Sequence, residues 1–211
     1  KIAQISATFP PYMAGTGIVC YHSSLELSKL GHEVSVFTAT QSENQDLSVC
    51  GLNVVRTKPL FSVGNAAFTP QLLKINEFDI VHLHYPYYFG GELVCLLNLL
   101  KSQKYVVTYH NDVVGTGFLK YLFDIHSKTL MNVVLRNASR ICVHTMDYAK
   151  NSKLNSFLNI ESKIVEIPNG VDPSLFNPSV NGDTVRNKYQ LHGKKIILFV
   201  RALDSAHHHS G

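Results

Sequence analysis

The sequence lacks the features that mark membrane-spanning or nucleic-acid-binding proteins. No uninterrupted apolar run in its 211 residues reaches the length of about 18 that crosses a bilayer. Lys and Arg form no block and the net charge is only +4, which does not favour nucleic acid as a partner. A charge of this size suits an anionic small molecule or the face of an anionic membrane equally well. With 45% hydrophobic and 16% charged residues, the composition is that of an ordinary globular protein.

Cysteine is scarce and lacks the spacing of a zinc site. The four cysteines, Cys20, Cys50, Cys95 and Cys142, are far apart in the sequence and form no C-x-x-C pair. We expect reduced thiols, and therefore a cytoplasmic protein or one at the inner face of a membrane. His82 and His84 share one strand face, but no carboxylate or cysteine lies nearby in sequence to complete a metal site. Packed, hydrogen-bonded histidines are the favoured interpretation, and we expect no bound metal.

The tight glycine turn of a dehydrogenase is also missing. After a predicted strand Lys1–Ser6, the chain has an eleven-residue loop, Ala7–Gly17, before the apolar periodicity of a helix begins. Gly15 and Gly17 in this loop let a ligand approach the main chain, at a helix end that attracts anions. The alternative is that both glycines only shape the loop. No acidic residue closes the second strand, so a nicotinamide-dependent oxidoreductase is disfavoured.

Strand-like and helix-like segments alternate through most of the chain. This order is typical of parallel strands joined by helical crossovers, and it predicts a doubly wound, Rossmann-like α/β fold. The predicted strands are Lys1–Ser6, Glu33–Thr38, Leu52–Thr57, Asp79–His84, Tyr105–Tyr109, Arg140–Thr145 and Lys163–Ile167. The predicted helices are Ile18–Leu30, Gln71–Asn76, Gly91–Leu100, Phe118–Arg136 and Asp147–Leu158.

Polar, aromatic and glycine residues follow the predicted strands at their carboxyl ends. In doubly wound sheets, ligands bind beyond these ends, where the strand order reverses. The loop after the fourth strand is aromatic, with Tyr85, Tyr87, Tyr88 and Phe89. Aromatic rings pack on sugar rings, so this loop could form the lip of an acceptor site; alternatively, it covers the helix behind it.

The C-terminal part of the sequence predicts a second domain that begins but does not continue. Residues 1–172 form the Rossmann-like domain, 173–193 a linker with a short helix near Thr184–Tyr189, and 194–211 the start of the second domain. Lys195–Val200 reads as a buried strand without a neighbour. An unpaired apolar strand favours self-association through residues 195–200.

Several phrases together resemble glycosyltransferase family 4, whose GT-B architecture has two facing Rossmann-like domains. They are FPPYMAGTG, FDIVHLHYP, VVTYHND, ASRICVHT and KIVEIPNGVDPSLFNP, in this order. The resemblance implies sugar transfer from a nucleotide-diphosphate sugar to an acceptor, with retention at the anomeric carbon. It implies no metal and no cofactor, the nucleotide sugar being a substrate. The acceptor class stays open between a polysaccharide, a glycolipid and a small glycoside.

The resemblance also implies roles for individual residues. His110 resembles the histidine that contacts the transferred sugar and is the expected catalytic residue, while Gly15 and Gly17 resemble the glycine loop near the donor phosphates. Asn169 and Gly170 resemble the segment at the interdomain cleft. The other expected donor-binding or acceptor-binding residues are Thr16, His84, Tyr85, Asn111, Asp112 and Thr145.

The sequence departs from the family pattern near its C-terminus. Arg201 stands where the family usually has glycine, Ser210 stands near the position of a phosphate-binding lysine, and the E-x7-E carboxylate pair is absent. We therefore expect the acceptor-binding half of a retaining glycosyltransferase, inactive by itself. The alternative is a non-catalytic carbohydrate-binding or assembly module.

Overall fold

The computed structural model describes residues 1–12, 14–40, 51–63, 65–75, 77–113, 117–157 and 160–198. The chain divides into two compact units, Lys1–Asn169 and Gly170–Gly211. The first unit contains every strand of the described residues. Within the described residues, no helix combines the length and the apolarity that a membrane span requires.

The first unit is built on a seven-stranded sheet in which every pairing is parallel. Across the sheet the strands, whose ranges are given below, lie in the order β3-β2-β1-β6-β7-β8-β9. Successive strands are added in one direction up to β3 and in the other direction from β6, so the strand order reverses between β1 and β6. The doubly wound, Rossmann-like prediction is therefore confirmed. The strands are β1 (Ile2–Ser6), β2 (Val34–Ala39), β3 (Asn53–Thr57), β6 (Ile80–Tyr85), β7 (Tyr105–Tyr109), β8 (Arg140–Val143) and β9 (Ile164–Glu166).

A short antiparallel hairpin lies outside this sheet and was not predicted from the sequence. It pairs β4 (Phe61–Val63) with β5 (Ala66–Phe68), and the rings of Phe61 and Phe68 stack 5.2 Å apart. Strands of three residues are too short to show an alternating pattern, so no periodicity marks them in the sequence.

The described residues contain six α-helices, of which all but the last lie between strands of the first unit. They are α1 (Gly15–Lys29), α2 (Gly90–Lys101), α3 (Phe118–His126), α4 (Asn132–Asn137), α5 (Met146–Asn151) and α6 (Asp183–Lys188). A π-helical segment, Ser127–Met131, joins α3 to α4, and 3-10 turns cover Pro70–Lys74, Lys153–Ser156 and Glu161–Lys163.

The first helix begins earlier than the sequence suggested. Because the amide of Ile18 donates to the carbonyl of Ala14 over 3.0 Å, Gly15 and Gly17 lie in the first turn of α1 rather than in the preceding loop. Glycine disfavours a helix interior but is tolerated in a first turn, and this made the boundary hard to place.

The two faces of the sheet differ in chemistry. One face packs its apolar side chains, including Ile5, Leu83, Val107 and Ile141, into the main core with residues of α2 and α4. The other face carries Gln4 and Ser6 on β1, His82 and His84 on β6, Thr108 on β7 and Cys142 on β8, because side chains alternate along each strand. Helix α1 lies on this second face, where Cys20 packs with Phe9 and Val36.

The prediction of a strand at Lys195–Val200 is wrong for residues 195–198, the part that the structure describes. Residues 195–198 of the second unit form no strand, and Ile197 and Leu198 are 98% and 80% exposed. A strand needs a hydrogen-bonded neighbour, and the described part of this unit offers none. Residues 199–211, including Arg201 and Ser210, lie outside the described residues. Self-association through residues 195–200 stays a prediction. Its original reason, an unpaired strand, does not hold for residues 195–198.

Candidate functional site

The candidate site lies at the carboxyl ends of β1, β6 and β7, beside the point where the strand order reverses. Strand β1 leads to the loop before α1, β6 ends at Tyr85, and β7 ends at Tyr109. The amide of His110 donates to the carbonyl of Tyr85 over 2.9 Å, so His110 continues the pairing of β7 with β6 by one residue. This hydrogen bond fixes the position of the His110 backbone at the rim.

Gly15 and Gly17 have different surroundings. Gly15 is exposed at the start of α1, and a Cβ placed there would meet nothing within 4 Å. A Cβ on Gly17 would lie 2.7 Å from the carbonyl oxygen of Thr8, in a buried contact between α1 and the preceding loop. The space around Gly15 is therefore open, whereas Gly17 is required by packing. Ligand binding at Gly15 stays a prediction. Thr16, between them, is half-buried.

A file of hydrogen-bonded side chains, Gln4–His84–His110, runs across β1, β6 and β7 toward this rim. Gln4 Oε1 lies 2.9 Å from His84 Nε2, and His84 Nδ1 lies 3.0 Å from His110 Nε2. The rings of His84 and His110 stack with centroids 5.2 Å apart, and the His144 ring lies 5.2 Å from that of His110. His82 packs against His84 at 4.5 Å, and its Nε2 lies 2.7 Å from Thr108 Oγ1.

Three of these histidines, His82, His84 and His110, are neutral near neutral pH. Burial lowers the pKa of His82 to about 4. Burial, with smaller contributions from the neighbouring His144 and His82, lowers the pKa of His110 to about 3. Burial also holds the pKa of His84 well below its usual value. The site therefore presents an uncharged imidazole, which hydrogen-bonds but brings no positive charge.

His84 was expected to bind donor or acceptor, but it is completely buried and cannot contact a ligand directly. Both of its ring nitrogens are occupied, by Gln4 and His110. The interpretation of His82 and His84 as packed, hydrogen-bonded histidines agrees with these contacts. The described residues contain no group of three or more His, Cys, Asp or Glu side chains arranged to hold a metal ion.

The aromatic loop after β6 lies largely inside the protein, which favours the alternative that it covers the elements behind it over an acceptor lip. Tyr85 and Tyr87 are each only 1% exposed and belong to the main core. Tyr85 stacks on Tyr109 at 5.8 Å, so it is a packing residue and not a ligand-binding residue here. Tyr88 is half-buried and stacks on Phe123 at 5.4 Å.

Asp112 and Thr145 are engaged in holding the local backbone. The Asp112 carboxylate accepts from the hydroxyl of Tyr109 and from the amide of Lys153, the latter over 3.0 Å. The hydroxyl of Thr145 caps α5 by accepting from the amide of Tyr148. Asn111 is exposed, and its side-chain amide donates to the carbonyl of Asp112. Ligand binding by these three residues stays a prediction.

The sequence model of the protein family Glycosyltransferase Family 4 matches residues 13–175, which is more than half of the chain. The chain belongs to glycosyltransferase family 4. This match includes Gly15, His110 and the capping residue Thr145, as well as Asn169 and Gly170. Both Asn169 and Gly170 are exposed, and they belong to different units of the chain, so their predicted place in a cleft stays a prediction.

Similar proteins agree with the family and the fold. An uncharacterized glycosyltransferase of Methanocaldococcus jannaschii is 24% identical over 96% of this chain and 55% of its own length. The crystal structure of Anabaena HepE in complex with UDP-glucose covers 91% of this chain and 50% of HepE, with 11% identity and a TM-score of 0.61. HepE with UDP and glucose gives 14% identity, 90% and 50% coverage and a TM-score of 0.59. The chain thus spans about half the length of these relatives.

Two residues of the candidate site were missed in the sequence. Gln4 lies between the apolar residues Ala3 and Ile5 of the first strand, and His144 follows β8 directly. A buried amide at the centre of a parallel strand is the signal that could have identified Gln4, since such a group needs a hydrogen-bond partner. A hollow of about 260 Å³ beside Phe37 and Ile75 is lined by none of the predicted site residues.

Proposed function

We propose that this chain is the acceptor-binding half of a retaining glycosyltransferase that uses a nucleotide-diphosphate sugar. In the proposed reaction, the bond from the sugar C1 to the diphosphate breaks and a bond to an acceptor hydroxyl forms on the same face of the sugar. The hydroxyl proton leaves with the diphosphate or with solvent. The observation that carries the proposal is the neutral His110 held at the carboxyl rim beside the switch point.

The chemistry of the rim supports sugar rather than phosphate recognition by His110. An imidazole with a pKa of about 3 is uncharged at neutral pH, so it suits a hydrogen bond to a sugar hydroxyl. The exposed Gly15 at the start of α1 offers backbone amides without an intrahelical partner, which suit an anionic group. A nucleotide sugar combines both kinds of group.

The relatives support the choice of donor. HepE binds UDP-glucose in one crystal structure and UDP with glucose in another. We propose a hexosyl transfer that needs no metal and no cofactor, as the resemblance to the family implies. The proposed acceptor is a sugar or a lipid-linked sugar at the inner face of a membrane, as in the assembly of a polysaccharide or glycolipid.

Calorimetry with UDP-glucose tests the proposal. We expect weak or no binding to this chain alone, and binding once the chain is joined to the further residues that its relatives carry. Tight binding of NADH would overturn the proposal. Binding of a free oligosaccharide by the longer protein, without any nucleotide binding, would instead favour a carbohydrate-binding module.

The role of His110 is tested by measuring UDP release from the longer protein, that is, this chain joined to the further residues that its relatives carry. The change His110→Ala is expected to lower turnover about 100-fold, because it removes a positioned polar group from the reacting sugar. His32→Ala is the matched control, since His32 is exposed beyond the C-terminal end of α1. Equal turnover of the two variants would contradict the assigned role.

A further inference from the structure

We infer that Gln4 and His84 fix the tautomer of His110, so that Nε2 carries its proton and Nδ1 presents a lone pair at the rim. Neither Gln4 nor His84 can touch a ligand, because both are completely buried. They act as positioning residues. The inference follows from two distances along the file Gln4–His84–His110 and from the number of protons that a neutral imidazole holds.

The first step is the contact between Gln4 and His84. Gln4 Oε1 is a carbonyl oxygen and can only accept, so the nitrogen 2.9 Å away, His84 Nε2, must donate. A neutral imidazole has one N–H, and His84 is kept neutral by complete burial. His84 Nδ1 therefore has a lone pair and no proton.

The second step passes this choice to His110. His84 Nδ1 lies 3.0 Å from His110 Nε2 and can only accept, so His110 Nε2 must donate. His110 is neutral as well, which leaves Nδ1 without a proton. Among the described residues, none is hydrogen-bonded to His110 Nδ1. On the proposed function, this nitrogen accepts a hydrogen bond from a sugar hydroxyl rather than donating one.

The third step is the rigidity of the file. In the sheet register Gln4 pairs with His82 and His84 pairs with Thr108, so the file crosses the strands diagonally toward their carboxyl ends. Rotation of the His84 ring is restricted because it packs on the His82 ring at 4.5 Å and on the His110 ring at 5.2 Å. Reversing one tautomer would place two lone pairs, or two protons, against each other. The three side chains therefore change together or not at all.

Imidazole nitrogen spectra of the ¹⁵N-labelled chain measure the tautomers directly. Near neutral pH we expect His84 and His110 both to show a protonated Nε2 and an unprotonated Nδ1. Loss of each set of signals in His84→Asn and His110→Asn assigns them. Protonated Nδ1 on both rings would mean that the Gln4 amide is turned by 180°, and this result would overturn the inference. A rapid mixture of tautomers at His110 would overturn it too.

Substitution of Gln4 then tests its control over His110. Gln4→Met keeps the length of the side chain but removes the acceptor, so both tautomers of His84 and His110 are expected to be populated. Thr38→Val is the matched control, because Thr38 is buried on the neighbouring strand and its hydroxyl has no partner among the described residues. Unchanged tautomers in Gln4→Met would refute the role of Gln4. If this variant does not fold, the unsubstituted spectrum alone decides the tautomers.

Kinetics of the longer protein separate this inference from the proposed function. Gln4→Met is expected to lower turnover about tenfold, the effect of one lost hydrogen-bond preference, while Thr38→Val leaves turnover unchanged. The expected tautomers together with no sugar transfer would refute only the proposed function. Sugar transfer that is insensitive to Gln4→Met would refute only the link from Gln4 to the reaction.

Discussion

The two faces of the seven-stranded sheet are built from alternate residues of the same strands, yet they have different roles. On β6, Leu83 points into the core with α2, whereas His82 and His84 point to the opposite face. On β7, Val107 and Thr108 divide in the same way. One face stabilises the fold through apolar burial, and the other holds the hydrogen-bonded file that ends at His110. Adjacent residues of one strand therefore lie on opposite faces and have different roles, whereas residues two positions apart share a face.

The largest expected effect is on the apolar face. Leu83→Ala removes a completely buried side chain from the main core and should lower the free energy of unfolding by about 2–5 kcal/mol. Because Leu83 faces away from the file, the tautomers of His84 and His110 should not change. Urea denaturation and imidazole spectra measure the two quantities. A shift in the tautomers would show that the faces are coupled.

A smaller effect is expected where α1 packs on the loop that follows β1. Gly17→Ala should destabilise the protein by about 1–3 kcal/mol, because its Cβ would lie 2.7 Å from the Thr8 carbonyl oxygen. Gly15→Ala is the matched change in the same turn and should change stability by less than about 1 kcal/mol, since the space around it is open. Thermal denaturation compares them. Equal losses would contradict the assignment of Gly17 to packing.

The polar face should make stability depend on pH. The pKa values of His82 and His110 are lowered to about 4 and about 3, so the unfolded chain binds more protons than the folded one below pH about 6.5. Stability should be greatest above that pH and should fall as the pH decreases toward 4, by up to about 1.4 kcal/mol per pH unit for each histidine. Denaturant titrations over this range measure the slope.

A matched variant assigns this slope to the polar face. His110→Asn should make it shallower, because one of the depressed histidines is lost. His32→Asn, at an exposed position, should leave it unchanged. A slope that is the same in all three proteins would place the pH dependence elsewhere in the chain.

The smallest expected effect separates two buried hydroxyls on the polar face. Thr108→Val removes the hydroxyl that lies 2.7 Å from His82 Nε2 and should cost about 1 kcal/mol. Thr38→Val removes a hydroxyl with no partner among the described residues, so it should be close to neutral. Urea denaturation resolves the difference if both variants are measured together. A larger loss for Thr38→Val would show that its hydroxyl has a partner outside the described residues.

Much of the fold could be predicted from the sequence because it depends on local periodicity. Every predicted strand from Lys1 to Ile167 has a counterpart in the sheet, within two residues at each end. The short hairpin of β4 and β5 was missed because three residues show no period. The strand Lys195–Val200 was predicted from apolarity alone, which does not supply a pairing neighbour.

The site could be predicted only in part. His110 and Gly15 could be placed because they follow strands whose ends meet at one rim, and their roles in binding or catalysis stay predictions. Tyr85 was assigned to the same rim, but the alternation along β6 turns its ring into the core. Gly17 was assigned to a ligand because the sequence does not show which backbone lies opposite a glycine.

The sequence by itself determined the alternation of strands and helices, the order of the rim residues and the resemblance to glycosyltransferase family 4, since all three are written in local patterns. Only the tertiary structure decided that His84 is buried behind His110 and that Gln4 completes the file. Gln4 and His84 are 80 positions apart in the chain, and no local pattern joins them. Pairing of β1 with β6 brings them within hydrogen-bonding distance, and burial there leaves each polar group dependent on the other.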